Sequence, residues 1–517
     1  MTLRSPWWRR ALALGAGATL CLAFAPWDWW WMAAPCVAVL LWLWMDAPSP
    51  RAAAWLGFCF HAGTFAVGTW WLYVSIHGFG KAPFWLALLL MGALVAIMAA
   101  YQAGVGWAVA RFLPRTAGWG ALFAMPAAWL FVEWWRGWFL SGFPWLSLGY
   151  VFTGTPLASL APVGGVYFLS AIVLTSGGAF VALLRGSNRT RVAAVAVLLV
   201  PWLAAAVAGR IDWTRPDGAP VRVALLQGAV PQDQKWLEDN ADHILDLYRG
   251  LHAQALGSDL IVWPESALPD AANFLARYLG GVWRESRERG SDVLMGVMRI
   301  EDVQPDQSEI WHNSVVALGR DDAPAFYDKS HLVPFGEYFP VPQFVRDWAR
   351  LMSLPYSDFI PGAREQPPLT VAGTALSASI CYEDAFGSAQ LATVRRSKLL
   401  VNVTNDAWFG RSSARYLHLQ IARMRASEAR RPMLRVANDG VTAVIDERGE
   451  LVATAPEYEA TVLRATVQPR SGDTPYLRTG NWPIVLLCAF TLAGVGLGRW
   501  RESSRRRKLS IQPLKQA

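Results

Sequence analysis

The chain has 517 residues, of which 54% are hydrophobic and 29 are tryptophan, more apolar content than one ordinary soluble domain carries, so a membrane protein is the expected class. The five cysteines, at 21, 36, 59, 381 and 488, form no CxxC pair and no metal-ligand spacing with the seven histidines, which argues against a disulfide framework or a zinc site. The formal charge of +8 is largely a matter of membrane topology, as the placement of the arginines below indicates, and nucleic-acid binding is the weaker explanation.

Apolar runs long enough for a bilayer crossing, about 20 residues each, lie at 11–27, 29–46, 54–76, 83–110, 118–140, 160–184 and 192–209, with an eighth at 480–498. The first resembles a signal peptide, because WWRR precedes it and Ala23-Phe24-Ala25 mimics a cleavage site. Pro26 disfavours cutting and a second apolar run follows at once, so an uncleaved anchor is expected. The run at 83–110 is too long for one upright span and is expected to tilt or to continue into an interfacial end.

Arginines mark every second loop: Arg4, Arg9 and Arg10, then Arg51, then Arg111 and Arg115, then Arg185, Arg189 and Arg191. The tail RWRESSRRRK after the last run is the most basic stretch, while Lys81 and Arg136 are the main basic residues of the alternate loops. The positive-inside rule then places both termini in the cytoplasm and the segment from about 211 to 478 on the far side. Trp-rich edges such as WDWWW and VEWWRGW suit the membrane–water interface.

That segment holds most of the acids and alternates strand with helix. VRVALLQGAV (221–230) predicts a strand and 237–256 an amphipathic helix, followed by strand DLIVWPES, a helix through 271–288, and strands SDVLMGVMRI and NSVVALG. Strands TALSASICYED and KLLVNVTNDAWFG, a helix near 414–430, strand PMLRVANDG and a hairpin in GVTAVIDERGEL complete it. Continuous apolar strands between amphipathic helices predict a large α/β domain whose sheet is covered on both faces.

Reactive groups of such sheets sit where strands end. Glu265 in IVWPES, Lys329 in FYDKSHLVPFGEY and Cys381 in SASICYED meet that description. Singly they read as a solvated acid, an exposed lysine and a core thiol. Together they supply what a thiol nucleophile needs: a base to take its proton and a cation to hold an oxyanion.

The motifs VWPES, DKSHLVPFGEY and ICYED are similar to the Glu, Lys and Cys signatures of the nitrilase superfamily. With SGFPWLSLGY (141–150), QGAVPQDQKW (227–236), VNVTNDAWFG (401–410) and about eight spans, the chain resembles the bacterial apolipoprotein N-acyltransferase family over nearly its whole length. One departure is Asp439 in ANDGVTAV, where an uncharged residue is more usual in the family.

The resemblance implies a multi-pass α-helical membrane domain with an α/β nitrilase-like sandwich (α-β-β-α). Its divisions are a membrane domain over 1–215 with about seven helices, a catalytic domain over 216–475, a final transmembrane helix over 476–500 and a basic cytoplasmic tail over 501–517. It implies acyl transfer from a glycerophospholipid to the N-terminal amine of a diacylglyceryl apolipoprotein through a Cys381 thioester, with Glu265 as base, Lys329 as oxyanion partner, no cofactor, no metal and no nucleic acid. It also implies a place in the bacterial inner membrane with the catalytic domain on the periplasmic side. Glu337 and Glu383 are expected to orient Lys329 or the nucleophile loop, or to serve as ordinary structural partners. Trp236, Tyr382 and Trp408 are expected to line the acyl entry or bind substrate, or simply to pack. His331 is left structural.

Two rivals use the same sequence differently. A membrane-attached amidase or nitrile hydrolase would employ the same three residues with water in place of the amine. A receptor or transporter would need charges inside its spans. The apolar runs carry almost none apart from Glu133 and Arg136 near an edge, and intact Glu, Lys and Cys motifs argue against a binding-only domain.

Overall fold

The computed structural model describes residues 5–303, 309–319, 323–338 and 359–510; Arg4 and the last seven residues of the tail lie outside the described residues. The N-terminal half is helical: α1 Pro6–Leu20, α2 Ala33–Met45, α3 Pro50–Gly68, α4 Phe84–Phe112, α5 Met125–Arg136, α6 Ala161–Arg185 and α7 Asn188–Ala208.

Among the described residues, three helices are long and apolar enough to cross a bilayer, at 84–112, 156–185 and 188–208. The expectation of about eight spans therefore holds by length and composition for three. The run 480–498 lies in one helix whose apolar part, Trp482–Gly498, is shorter, and several of the others are interrupted. The run 11–27 leaves the α-helix at Leu20 for a 3₁₀ turn, Cys21–Ala23, ahead of Pro26, and α2 has only 13 residues. The run 118–140 enters through a π-helical stretch, Gly120–Ala124, before the 12 residues of α5. The run 54–76 divides between α3 and a π-helical stretch, Val74–Phe79. The long run at 83–110 is one unbroken helix of 29 residues. Helix α6 is the hub of the bundle, 72% buried along its apolar window, against 17% for α4 and α7.

Two six-stranded sheets follow. The first contains β1 Val221–Gln227, β2 Leu260–Val262, β3 Asp292–Val303, β4 Glu309–Leu318 and β5 Ala325–Asp328. The second contains β6 Leu369–Val371, β7 Thr374–Ile380, β8 Leu399–Thr404, β9 Met433–Ala437, β10 Ala443–Ile445 and β11 Leu451–Thr454. The last strand, β12 Thr461–Val467, returns to the first sheet. The orders are β12-β1-β2-β3-β4-β5 and β11-β10-β9-β8-β7-β6. In each, three central strands are parallel and the outer pairings antiparallel, with Leu225 opposite Val262 in one and Leu376 opposite Leu399 in the other.

The sheets face one another across a dry core that includes Val223, Leu225, Val262, Ala378, Ile380, Val401 and Val436. The outer face of the first is covered by α8 Ala241–Ala255 and α9 Ala276–Glu288 through Ala224, Ile261, Tyr248 and Leu251. The outer face of the second is covered by α10 Ala414–Ala429 through Leu400, Ala422 and Ala426. Each sheet is thus buried on both faces, as its continuous apolar strands require. The strands β5, β6 and β12 had no distinct signal in the sequence, whereas the hairpin β10–β11 falls where GVTAVIDERGEL predicted it.

Helix α10 has a second task. Leu417, Ile421 and Met424 pack into the membrane bundle while Leu419 and Ala422 pack on the sheet, so nearly every residue of the helix is buried. Glu428 accepts from the Val166 N–H at 2.7 Å, and Ser427 donates to the Ala158 carbonyl at 3.3 Å. The two-sheet domain is therefore bolted directly to α6 and its lead-in. The final helix α11, Trp482–Ser510, packs against α5 through Trp482 and Trp134, whose rings lie 6.1 Å apart.

Candidate active site

The three sequence candidates stand at three strand ends. Pro264 has no N–H to continue a ladder, so β2 stops and Glu265 follows it, buried. Lys329 directly follows β5, its N–H donating to the Asn313 carbonyl at 2.8 Å. Cys381 directly follows β7 with φ at 52°, a left-handed conformation unfavourable for a residue with a side chain.

Lys329 is 1% exposed, and its ammonium lies 2.9 Å from Glu337 Oε1 and 3.5 Å from Glu265 Oε1. Asn313 Nδ2 donates to both carboxylates at 2.8 Å. The backbone N–H groups of Asn405 and Val333 take the remaining oxygens, Glu265 Oε2 and Glu337 Oε2, at 2.8 Å each. Burial alone would favour a neutral amine, but Glu337 and Glu265 hold the lysine above its ordinary range, so it is a permanent cation. Burial and the charge of Glu265 push the Cys381 thiol well above its ordinary range, with Lys329 opposing. The Cys381 thiol is thus held in its protonated form, with a carboxylate and a fixed cation in electrostatic reach.

The strained turn at Cys381 is over-determined. Its carbonyl accepts from Asn402 Nδ2 at 3.2 Å and His418 Nε2 at 3.1 Å. Glu383 Oε2 accepts the Ile380 N–H at 2.8 Å, and Glu383 Oε1 accepts from the N–H and hydroxyl of Ser330 and the N–H of His331. Glu383 thereby ties the loop after Lys329 to the turn at Cys381. Below it lies a buried charge cluster: His418 bridges Asp406 at 2.9 Å and Asp384 at 3.1 Å, and Arg435 pairs with Asp406 at 2.7 Å. Burial and Arg435 oppose a charged His418, but the two aspartates prevail and hold it up at about 9, so the imidazolium donates from both nitrogens.

Asn313, Asn402, Asn405, Asp384, Asp406, His418 and Arg435 were not singled out from sequence. The one available signal was a charge in an apolar strand: Arg435 sits in the middle of MLRVA with no exposure. His331 lies against Phe386, ring centres 3.6 Å apart, and burial drives it down to about 4, so it is a neutral packing group.

Membrane elements form the wall of the site. The Tyr382 hydroxyl donates to the Gly142 carbonyl at 3.0 Å, and its ring stacks on Trp145 at 6.5 Å. Ser141 and Tyr338 share a hydroxyl hydrogen bond of 2.5 Å. Trp408 is half-exposed; its carbonyl accepts from Ser75 at 2.7 Å and its ring lies 6.4 Å from Phe79. Trp236 is also half-exposed, its ring 5.3 Å from the Lys235 ammonium. Among the described residues no group of three or more His, Cys, Asp and Glu is arranged to hold a metal ion. The arrangement can deprotonate a thiol into a neighbouring carboxylate and stabilise an oxyanion, beside aromatic and apolar membrane elements.

Comparison with known proteins follows the same division. A family described as apolipoprotein N-acyltransferase N-terminal domain matches residues 16–179, and one described as carbon-nitrogen hydrolase matches residues 222–476. The chain is 41% identical over 504 residues to an apolipoprotein N-acyltransferase of Azotobacter vinelandii, covering 96% of this chain and 97% of that one. It is 40% identical over 502 residues to one of Methylococcus capsulatus, covering 95% and 96%. Among solved structures, an amidase from Nesterenkonia sp. is 20% identical with a TM-score of 0.35, covering 52% of this chain and 96% of that one.

Proposed function

The chain belongs to the apolipoprotein N-acyltransferase family, and from that premise we propose that its site moves a fatty acyl chain from a membrane glycerophospholipid to the N-terminal amine of an S-diacylglyceryl apolipoprotein. It is a membrane protein carrying a nitrilase-like α-β-β-α domain. The observation that supports the mechanism best is the meeting of Glu265 and Lys329 in one buried ion pair beside a protonated Cys381.

In the first half-reaction Cys381 Sγ attacks the donor ester carbonyl while Glu265 takes the thiol proton. Lys329, with a backbone N–H near Tyr382, carries the charge of the tetrahedral oxyanion. The C–O bond breaks, Glu265 returns its proton to the leaving alkoxide, and lysophospholipid departs. In the second half-reaction the free amine attacks the thioester, Glu265 receives the amine proton, the C–S bond breaks to give the amide, and Glu265 passes that proton to the departing sulfur to restore the thiol. Glu337 keeps Lys329 in place, Glu383 keeps the nucleophile turn in place, Tyr382 and Trp408 flank the path of the acyl chain, and Trp236 lines the site on the substrate side.

Placement follows the arginine pattern: inner membrane, about eight crossings, both termini cytoplasmic, and the domain over 216–475 in the periplasm against the outer leaflet. The test is discharge of the acylated protein. A diacylglyceryl peptide with a free amino terminus should convert the thioester to an amide, and the same peptide acetylated at that terminus should not. Release of free fatty acid at one rate with or without peptide would favour the hydrolase reading instead.

A further inference from the structure

Two donors beside Glu265 have no part in the mechanism above. Lys235 is 1% exposed, and its ammonium has no hydrogen-bond partner among the described residues; the same is true of Gln232 Nε2. They lie in one short segment after β1, and a chain of bonds fixes where that segment sits. Gln232 Oε1 accepts from Asn405 Nδ2 at 2.8 Å, and the backbone N–H of the same Asn405 donates to Glu265 Oε2 at 2.8 Å. Lys235 itself is within electrostatic reach of Glu265, which is in turn within reach of Cys381. Burial lowers Lys235 to about 8, with Glu265 pulling the other way. The half-exposed Trp236 lies over the buried ammonium at 5.3 Å.

An enclosed ammonium and amide with their N–H groups unspent among the protein's own acceptors are poised to donate to an incoming one. The proposed donor and acceptor differ in one chemical respect. The phospholipid carries a phosphodiester anion within one glycerol unit of the ester that Cys381 attacks, and the diacylglyceryl acceptor carries none. A phosphate with two free oxygens matches one ammonium and one amide donor. Resting on the phospholipid reading, we propose that Lys235 Nζ and Gln232 Nε2 form the phosphate subsite of the acyl donor, with the Trp236 indole as its movable cover. Arrival of the anion completes the charge on Lys235 and spends both donors.

The test uses the purified full-length protein and two donors of the same acyl chain, a phospholipid in mixed micelles and a phosphate-free p-nitrophenyl ester, with acylation of Cys381 followed by mass. In Lys235→Met the ratio of the phospholipid rate to the phosphate-free rate should fall by roughly 10- to 100-fold, the scale of losing one hydrogen bond to a charged group. Gln232→Ala should lower the same ratio less, and Lys235→Arg should restore part of it. An unchanged ratio, with both rates falling together, overturns the subsite and makes Lys235 a partner of Glu265 alone. Inorganic phosphate separates the sources: if it protects the wild-type site from the ester while the lipid ratio is unaffected by Lys235→Met, the site takes a free anion and the proposal fails. Failure of the phospholipid to acylate the wild-type protein at all would instead remove the donor reading on which the subsite rests.

Discussion

Replacing His418 by leucine probes the cluster under the nucleophile. In the folded protein His418 is held at about 9 against an ordinary 6.5. At 1.36 kcal/mol per unit, that difference corresponds to about 3 kcal/mol of stability. The folded value is the raised one, so this contribution is complete below pH 6.5 and is lost as the pH climbs through 9. In His418→Leu, Asp384 and Asp406 share only Arg435, leaving one buried negative charge uncompensated, and the Cys381 carbonyl keeps Asn402 alone. Thermal unfolding in detergent micelles, followed by tryptophan fluorescence from pH 6 to 9.5, gives the readout. The wild-type Tm should fall across the upper part of that range, while the variant should start lower and lack this component of the fall. The difference between the two profiles removes the titration of every other group. Parallel profiles, with the same loss on going to pH 9.5, would refute a charged His418 as the support of the turn.

Other perturbations separate the remaining roles. Lys329→Ala should leave Cys381 open to alkylation by a small electrophile but slow its acylation by about 100-fold or more, the scale of losing one oxyanion partner. Glu265→Gln should slow acylation comparably and recover partly at higher pH, because the variant lacks both the base and the negative charge that raises the thiol; a pH-independent defect would argue against the base role. Arg136 donates to the carbonyls of Phe143 and Trp145, the latter at 3.0 Å, and stands near buried Glu133. Arg136→Leu should release the loop that Tyr382 leans on, lowering acylation and Tm together; unaltered acylation would show that the loop holds itself. On a Cys381→Ala background, a membrane-impermeant maleimide added to intact cells should label Asp242→Cys and not Asn188→Cys, and the reverse pattern would invert the orientation.

What was legible in the sequence was whatever depends on neighbours along the chain. Strand ends at Glu265 and Cys381 could be read because each follows a short apolar run, punctuated by Pro264 and by the two acids after Tyr382, whereas Lys329 stood out through its motif FYDKSHLVPFGEY. The hairpin β10–β11 was legible from its turn residues. The partners of these residues were not, because they come from distant strands: Asn313 and Asn405 reach Glu265 across 48 and 140 residues, and His418 reaches Cys381 across 37. Helix α10 was legible as an element near 414–430, but its second packing face was not. Its polar and apolar residues do not segregate to one face because both faces are covered, one by the sheet and one by the membrane bundle. Apolar runs do not reveal where 3₁₀ and π-helical turns interrupt the helices, so by helix length and composition three of the eight expected spans stand among the described residues.

The central claim is that one thiol accepts the acyl group before any amine is present. The direct measurement is the mass of the peptide containing Cys381 after incubating the purified protein with phospholipid alone. The account predicts one acyl chain per protein molecule on that peptide, removable by hydroxylamine and absent in Cys381→Ala. An unmodified Cys381 peptide, alongside full transfer once the diacylglyceryl peptide is added, would contradict it.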